Sequence, residues 1–255
     1  MKYIDDLNEK GIITPRKWFK VSGIYKKLKE LKGIKKYIIT FDYMKNFIER
    51  VRTYKNKEIE WYKGLYIFEY KKEKIGFFAS SIGAPIIAIL LEEFIEMGGK
   101  YFIITGGVGV FDKKIKRGDI IIPDEAIPDE GTSPHYVKKE TKLKPSPEIL
   151  KELKENCKKL NIKFYTGKIW TTDGVYRETP KRIRYFKKRG ARFVDMEYSA
   201  FLSVLKFYKV HGAGIFYAGD YISEKGWHFR RKKMSIAYKT QEKLFKIICE
   251  SLLKI

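Results

Sequence analysis

Only two cysteines and three histidines occur among the 255 residues of this sequence. Cys157 and Cys249 lie far apart, each in a segment of helical spacing, and neither has a nearby partner or metal-ligand spacing. His211 and His228 lack carboxylate or cysteine neighbours at metal spacing, and His135 stands alone in a polar loop. We therefore expect no metal site, and we expect two buried thiols in a reducing cytoplasm.

Long hydrophobic runs are also missing. The longest apolar run, residues 84–91, is far shorter than the roughly 20 residues that a membrane-spanning helix needs. The first ten residues are charged from the start, unlike a secretory signal. The sequence thus predicts a cytoplasmic protein with no membrane partner.

Acidic residues are scarce, since 31 Asp and Glu stand against 54 Lys and Arg, giving a net charge of +23. A surplus of this size is found in proteins that neutralise nucleic-acid phosphates. Here the lysine pairs recur along the whole chain, with the densest run at residues 230–233. This spread favours a solvated, lysine-rich surface over a specific nucleic-acid interface. The same charge permits attraction of phosphate-bearing ligands.

The hydrophobic content of 44% is ample for a sizeable core, and no linker, repeat or composition shift divides the chain. We predict a single domain over residues 1–255. Several strand-like runs have apolar residues at both odd and even positions, which is typical of strands covered by helices on both faces. These runs are residues 37–41, 65–70, 75–79, 101–105, 119–122, 162–171, 192–196 and 212–218.

Helical spacing of apolar residues lies between these runs. The predicted helices are residues 85–97, 146–160, 179–189, 197–208 and 231–253. Lys71 to Lys74 separate two apolar runs as a hairpin turn would, which implies some antiparallel pairing. The sequence therefore predicts an α/β fold with a mixed sheet.

The segment Thr105-Gly106-Gly107-Val108-Gly109 follows a buried strand, and Ser80 ends the strand before it. Glycine lets backbone amides approach a ligand closely, although glycines also end strands for conformational reasons alone. Residues 81–85 open a helix, whose free amides favour an anion. Two such strand ends side by side predict a pocket at the carboxyl edge of the sheet.

Several motifs together make the sequence resemble the purine and uridine nucleoside phosphorylases over about residues 37–227. They are Thr105 to Gly109, Arg117-Gly118-Asp119, Asp129 to Tyr136, Trp170 to Thr179, and Val194-Asp195-Met196-Glu197-Tyr198-Ser199-Ala200. The resemblance implies a three-layer α/β/α sandwich with a mixed, partly barrel-like central sheet. It implies a homo-oligomer, a hexamer built as a trimer of dimers, with inorganic phosphate as co-substrate and no cofactor.

The implied activity is cleavage of the N-glycosidic bond of purine nucleosides or uridine by phosphorolysis, which gives free base and ribose 1-phosphate. Met196 and Glu197 match the ribose-binding residues: the carboxylate accepts two hydroxyls and the thioether forms a polarizable floor. The alternative for Glu197 is an acid in the first turn of a helix. That alternative does not explain the matching residues on either side.

The base-binding residues implied by the resemblance are Gly107, Val175, Tyr176, Arg177 and Thr179. Asp220 matches the aspartate with which purine-cleaving members protonate or hydrogen-bond the base. A carboxyl whose pKa is raised by a partly closed pocket can act as such an acid. A turn or cap aspartate is the alternative. Trp227 resembles a tryptophan that follows this aspartate in some members, and we expect it to close over the site. Asp220 indicates a purine substrate, whereas residues 131–133 resemble uridine-cleaving members, so both remain open.

The phosphate side departs from the family. Three phosphate-binding arginines are expected, but their positions hold Lys45, Ile104 and, near the third, Trp61. Lysine offers only a point charge and isoleucine none, so phosphate affinity should fall.

The residues left for the phosphate or a water are Ser80, Lys45, Asp42 and Thr105. Three outcomes remain: a phosphorylase with a rebuilt anion site, a nucleosidase in which Asp42 activates water, or a non-catalytic nucleoside-binding relative.

Overall fold

The structure is a computed structural model that describes residues 6–60, 63–230 and 234–255. Within these ranges the α-helices are α1 (Pro15–Val21), α2 (Lys45–Arg52), α3 (Ala84–Glu96), α4 (Pro147–Lys159), α5 (Pro180–Lys188), α6 (Tyr198–Tyr208) and α7 (Met234–Leu252). Short 3₁₀ segments occupy Ile24–Leu31, Ser133–His135 and Val175–Arg177. None of the described helices is long and apolar enough to cross a membrane. The predicted start of the last helix, residues 231–233, lies outside the described residues.

The described strands form two six-stranded sheets. The strands are β1 (Lys36–Phe41), β2 (Asn56–Glu58), β3 (Leu65–Tyr70), β4 (Glu73–Ser80), β5 (Tyr101–Ile104), β6 (Gly107–Val110), β7 (Ile120–Asp129), β8 (Phe164–Thr172), β9 (Ala191–Asp195), β10 (His211–Gly214), β11 (Phe216–Ser223) and β12 (Gly226–His228). The first sheet has the order β10-β5-β1-β4-β3-β2, and the second has the order β12-β11-β6-β9-β8-β7. In the second, β11 also pairs with β7, which closes the sheet into a small barrel.

Parallel and antiparallel pairs coexist in both sheets. Strand β1 runs parallel to β4 and β5, whereas β3 and β4 are antiparallel. The hairpin between β3 and β4 turns at Lys71 and Lys72, whose φ values of 49° and 71° are left-handed. The predicted hairpin and the mixed, partly barrel-like sheet are confirmed. Helices α2, α4 and α7 pack together, as do α1, α3 and α6, which gives the layers of an α/β/α sandwich.

The chain passes from the first sheet to the second at two adjacent places. It leaves β5 after Ile104 and enters β6 at Gly107, and it leaves β10 after Gly214 and enters β11 at Phe216. The prediction of one strand over residues 212–218 was wrong, because Ile215 N–H bonds the Ile104 carbonyl while the next strand pairs elsewhere. The glycine-rich segment is likewise part strand and not wholly a loop.

Helix α3 has the boundaries that its sequence predicts. Pro85 lies in its first turn, Gly98 with φ of 108° follows its end, and Gly99 N–H bonds the Phe94 carbonyl at 2.9 Å. Its apolar face packs on α6, which is buried over its first eight residues. The N-termini of these two helices lie side by side, since the Gly83 N–H before α3 donates to the Glu197 carboxylate before α6 at 2.7 Å.

Helix α2 was not predicted. It is short, and Phe47 and Val51 are its only buried residues, too few to show a helical period in the sequence. The turn before it, residues 42–44, contacts the glycine-rich segment, because the Tyr43 hydroxyl accepts the Gly107 N–H at 3.0 Å.

Candidate active site

Glu197 stands between the end of β9 and the start of α6, and only 6% of its surface is exposed. Its carboxylate accepts the backbone N–H of Gly83 at 2.7 Å and that of Met196 at 3.3 Å. Burial, followed by the nearby Asp195 carboxyl, raises the pKa of Glu197 to about 8. The side chain is thus held by backbone donors from two elements, beside a partly exposed Met196.

Asp195 is hydrogen-bonded to the start of α6 and to β8. Its carboxylate accepts the Tyr198 N–H at 2.7 Å, the Glu197 N–H at 3.3 Å and the Thr171 hydroxyl at 2.7 Å. Burial raises the pKa of Asp195 to about 7. Because its bonds go to the first turn of α6 and to β8, Asp195 positions the backbone that carries Glu197.

A second buried carboxylate joins the 129–136 motif to α6. Glu130 accepts the N–H groups of Thr132 at 2.6 Å and Ser133 at 2.9 Å, the Ser133 hydroxyl, and the Ser199 hydroxyl at 2.7 Å. Ser203 donates to the Ser133 hydroxyl at 3.0 Å. This network connects the motif to the site, because it holds the loop against α6, the helix that Glu197 precedes.

Asp220 lies on β11 with both carboxylate oxygens engaged. Arg117 Nη1 donates to Oδ1 at 3.1 Å, and Trp227 Nε1 donates to Oδ2 at 2.9 Å. Arg117 also donates to the Phe229 carbonyl at 2.7 Å and stacks over its ring at 5.4 Å. The buried Arg117 Nε has no partner among the described residues. Asp220 therefore belongs to a bonded cluster with Arg117 and Trp227.

The segment from Asp173 to Thr179 reaches toward both carboxylates. Asp173 accepts the Gly131 N–H at 2.9 Å, and its negative charge contributes to the raised pKa of Glu197. Glu178 is half-buried, and burial together with the Asp220 charge raises its pKa to about 7. The structure thus brings Glu178, which the sequence analysis did not single out, to the Asp220 end of the site.

The predicted base-binding residues of this segment are more exposed. Val175, Tyr176 and Arg177 face solvent, and Tyr176 is 97% exposed. Thr179 is the N-cap of α5, where its hydroxyl accepts the Arg182 N–H at 3.4 Å. Gly107, the fifth predicted residue, lies at the crossing from β5 to β6.

In the described part of the chain, the side chains predicted for the phosphate or water make no hydrogen bond to one another, although the Asp42 N–H donates to the Ser80 carbonyl at 2.9 Å. Asp42 and Lys45 are exposed, and the Ser80 hydroxyl donates to the Ser81 carbonyl at 2.7 Å. The Thr105 hydroxyl is buried and has no hydrogen-bond partner in the part of the chain that the structure describes. Ile104 is fully buried in the core, and Trp61 lies outside the described residues.

Tyr43 occupies this side of the site instead. Its hydroxyl oxygen accepts the Gly107 N–H at 3.0 Å, and its ring stacks on Phe41 at 5.7 Å. Although 37% of the residue is exposed, burial of the hydroxyl raises its pKa well above the ordinary value, with further contributions from Tyr217, Glu197 and Asp195. In the sequence, Tyr43 lies two residues before the altered position Lys45, and no motif gives it a role.

Arg117 had a weak sequence signal, since it opens the Arg-Gly-Asp turn that was noted without a function. Glu178 had none beyond its place in the motif from Trp170 to Thr179, and Tyr43 had none. Their roles depend on which strand ends meet, and the two sheet crossings decide that.

The family model described as the phosphorylase superfamily matches residues 40–253, which include every element of this site. This chain belongs to the phosphorylase superfamily. The uridine phosphorylase of Thermococcus kodakarensis is 32% identical over 129 residues, which cover 50% of this chain and 47% of that protein. The chain thus spans about half the length of this curated relative.

Two further members of the superfamily are similar. The DeoD-type purine nucleoside phosphorylase of Buchnera aphidicola subsp. Schizaphis graminum is 27% identical over 158 residues, 61% of this chain and 67% of that one. The crystal structure of uridine phosphorylase from Vibrio fischeri ES114 has a TM-score of 0.77 at 21% identity, covering 88% of this chain and 95% of that one. This structural similarity confirms the predicted fold.

Proposed function

We propose that this chain cleaves the N-glycosidic bond of purine nucleosides or uridine by phosphorolysis, releasing the free base and ribose 1-phosphate. Membership of the phosphorylase superfamily and the names of the relatives support this reaction. The observation that carries it is the buried Glu197 carboxylate, fixed by the Gly83 amide beside the sheet crossing at Gly107.

Glu197 is the proposed ribose ligand. Glycosidic cleavage builds positive charge on the sugar, and a carboxylate that accepts two vicinal hydroxyls holds the sugar while that charge develops. The Gly83 N–H donates to one carboxylate oxygen at 2.7 Å and the Met196 N–H donates to the other at 3.3 Å, which fixes the orientation of the carboxylate. Hydroxyl donors favour the charged form, so a bound ribose should lower the pKa of about 8 that Glu197 has without ligand.

The departing base needs a proton or a hydrogen bond, and Asp220 is the proposed group that contacts it. Arg117 and Trp227 hold the Asp220 carboxylate in one orientation. Glu178 lies near enough for the Asp220 charge to act on it, and its pKa of about 7 leaves it partly protonated at neutral pH. We assign to Glu178 the task of storing the proton that the base takes up through Asp220.

Assembly and location stay predictions of the sequence analysis: a homo-oligomer, specifically a hexamer built as a trimer of dimers, in the cytoplasm. Size-exclusion chromatography with light scattering measures the assembly directly, and a monomer would contradict it.

The experiment that tests the reaction uses purified protein with inosine, adenosine and uridine, each with and without inorganic phosphate. We expect base release from at least one nucleoside, dependent on phosphate and accompanied by ribose 1-phosphate. Release that is indifferent to phosphate, with free ribose as product, would contradict phosphorolysis.

Hydrolysis by water is the second candidate, and one observation favours it. Ile104 is buried in the core where the family has a phosphate-binding arginine, and Lys45 lies exposed at the surface. A dianion in this cleft lacks the bidentate guanidinium that usually offsets its desolvation. Water needs no such partner.

A further inference from the structure

We propose that the Tyr43 hydroxyl is a direct ligand of the attacking phosphate, donating its proton to an anionic oxygen on the glycine-rich side of the site. This inference rests on the proposed phosphorolysis and names a residue that rebuilds the altered phosphate site.

The position of the hydroxyl is fixed on two sides. Its oxygen accepts the Gly107 N–H at 3.0 Å, and its ring lies nearly parallel to that of Phe41, with 2° between the planes. Glu197 is close enough for its charge to act on the phenol. The hydroxyl therefore lies between the β5 to β6 crossing and the proposed ribose ligand.

Aromatic side chains pack closely against the two glycines of the crossing. A Cβ at Gly106 would lie 2.7 Å from the Phe41 ring and 3.0 Å from the Tyr43 hydroxyl, and one at Gly107 would lie 2.9 Å from the Tyr217 hydroxyl. Neither position has room for a side chain that could itself bind an anion. Any side-chain donor on this face must come from another element, and the β1 to α2 turn supplies Tyr43.

The direction of its hydrogen bond makes Tyr43 a donor toward the cleft. The oxygen is already an acceptor for Gly107, and the phenol proton has no acceptor among the described residues. An accepted hydrogen bond polarises the O–H group and strengthens it as a donor. Because burial raises the pKa of this phenol, the proton is retained throughout the neutral range. A protonated, buried donor suits an anion and does not activate water as a base would.

The buried Thr105 hydroxyl, two residues before Gly107, supports an anion on this side. It has no partner within the described part of the chain, and a buried hydroxyl without a partner is costly. In the opposite interpretation, the Tyr43 hydroxyl is a plug: it blocks the Gly107 N–H, and phosphate must displace it to bind there. The two interpretations predict changes of opposite sign.

The test compares the wild-type protein with Tyr43→Phe, which keeps the ring and removes only the hydroxyl. Tyr185→Phe is the matched control, since that phenol is on α5 and its partner is Arg189. Turnover is measured against inorganic phosphate concentration, and phosphate binding is measured separately by calorimetry. We expect Tyr43→Phe to raise the KM and Kd for phosphate roughly 10- to 100-fold, with the nucleoside KM within about twofold of wild type.

A lower phosphate KM or Kd in Tyr43→Phe would overturn the inference in favour of the plug, and unchanged values would overturn it as well. If wild-type turnover depends on phosphate but the variant behaves like wild type, only this inference fails. If wild-type turnover ignores phosphate, the proposed phosphorolysis fails, and calorimetry still decides about Tyr43. Absent phosphate binding to the wild type also overturns the inference.

Discussion

The Glu197 carboxylate accepts the Gly83 backbone N–H at 2.7 Å and so joins the start of α6 to the start of α3. Both residues follow the ends of strands, but the strands belong to different sheets. The bond therefore spans the edge at which the open sheet and the small barrel meet. A ligand held by Glu197 lies at this border, next to the crossing at Gly107.

Replacing Glu197 by Gln tests the ribose assignment. The amide oxygen can still accept the Gly83 N–H, but the neutral side chain no longer offers a charged acceptor to a ribose hydroxyl. We expect kcat/KM to fall roughly 100- to 1000-fold, the size of a lost charged contact in a transition state. Steady-state kinetics with the most active nucleoside measure it. Glu224→Gln is the control, since it alters a partly exposed carboxylate paired with Arg184. Wild-type activity in Glu197→Gln would refute the assignment.

The stability of the unliganded protein should depend on the charge of Glu197. Its pKa is raised to about 8 in the folded state, so the folded state binds a proton that the unfolded chain releases at lower pH. This contribution to the free energy of unfolding is fully present below the unfolded pKa and is lost as the pH rises through about 8. From about pH 6 to about pH 9, the wild-type Tm should therefore fall relative to that of Glu197→Gln. Differential scanning calorimetry across this range checks it, and a constant difference would contradict it.

Asp220→Asn probes the departing base. The amide keeps one oxygen for Arg117 or Trp227 but cannot pass on a proton. For a purine nucleoside we expect kcat to fall roughly 100- to 10,000-fold, the range for loss of a general acid. Trp227→Phe removes the 2.9 Å bond to Asp220 but keeps an aromatic ring, and it should cost much less. Equal losses in the two variants would indicate that Asp220 acts only by holding Trp227 in place.

Glu178→Gln tests the proton store by a pH profile. If the protonated form of Glu178 is required, wild-type kcat should decline as the pH rises through about 7. In the variant that decline should vanish, with a lower kcat at pH 6. A variant that keeps the wild-type profile would exclude Glu178 from proton transfer.

Most of the fold could be predicted because its signals are local. The apolar runs of β1, β3 and β5 and the proline and glycines around α3 each mark an element within a few residues. The division of residues 212–218 between two sheets could not be predicted in this way. Nothing in the short run itself shows that the bond from Ile215 to Ile104 ends one ladder.

The site divides similarly. Met196 and Glu197 were predicted because a contiguous motif carries them, and the structure buries the Glu197 carboxyl against the Gly83 N–H. Tyr43, Glu178 and Arg117 are far apart in the sequence, and the two sheet crossings bring together the elements that carry them. A hydroxyl that contacts Gly107 from a turn more than sixty residues away leaves no pattern in the sequence.

Gly106→Ala should destabilise the protein, because the new Cβ would lie 2.7 Å from the ring of the buried Phe41. Neither the ring nor the strand that carries it can move without disturbing the stack with Tyr43, so we expect a loss of about 1–3 kcal/mol of unfolding free energy. Gly131→Ala is the matched control, since its nearest neighbour would be 3.7 Å away, an ordinary contact. An alanine there only restricts the unfolded chain, so it should leave stability unchanged or raise it by up to about 1 kcal/mol.

Urea unfolding of the two variants and the wild type measures both effects. Equal stability of Gly106→Ala and Gly131→Ala would mean that Phe41 and Tyr43 yield freely, and the fixed position of the Tyr43 hydroxyl could then no longer be maintained.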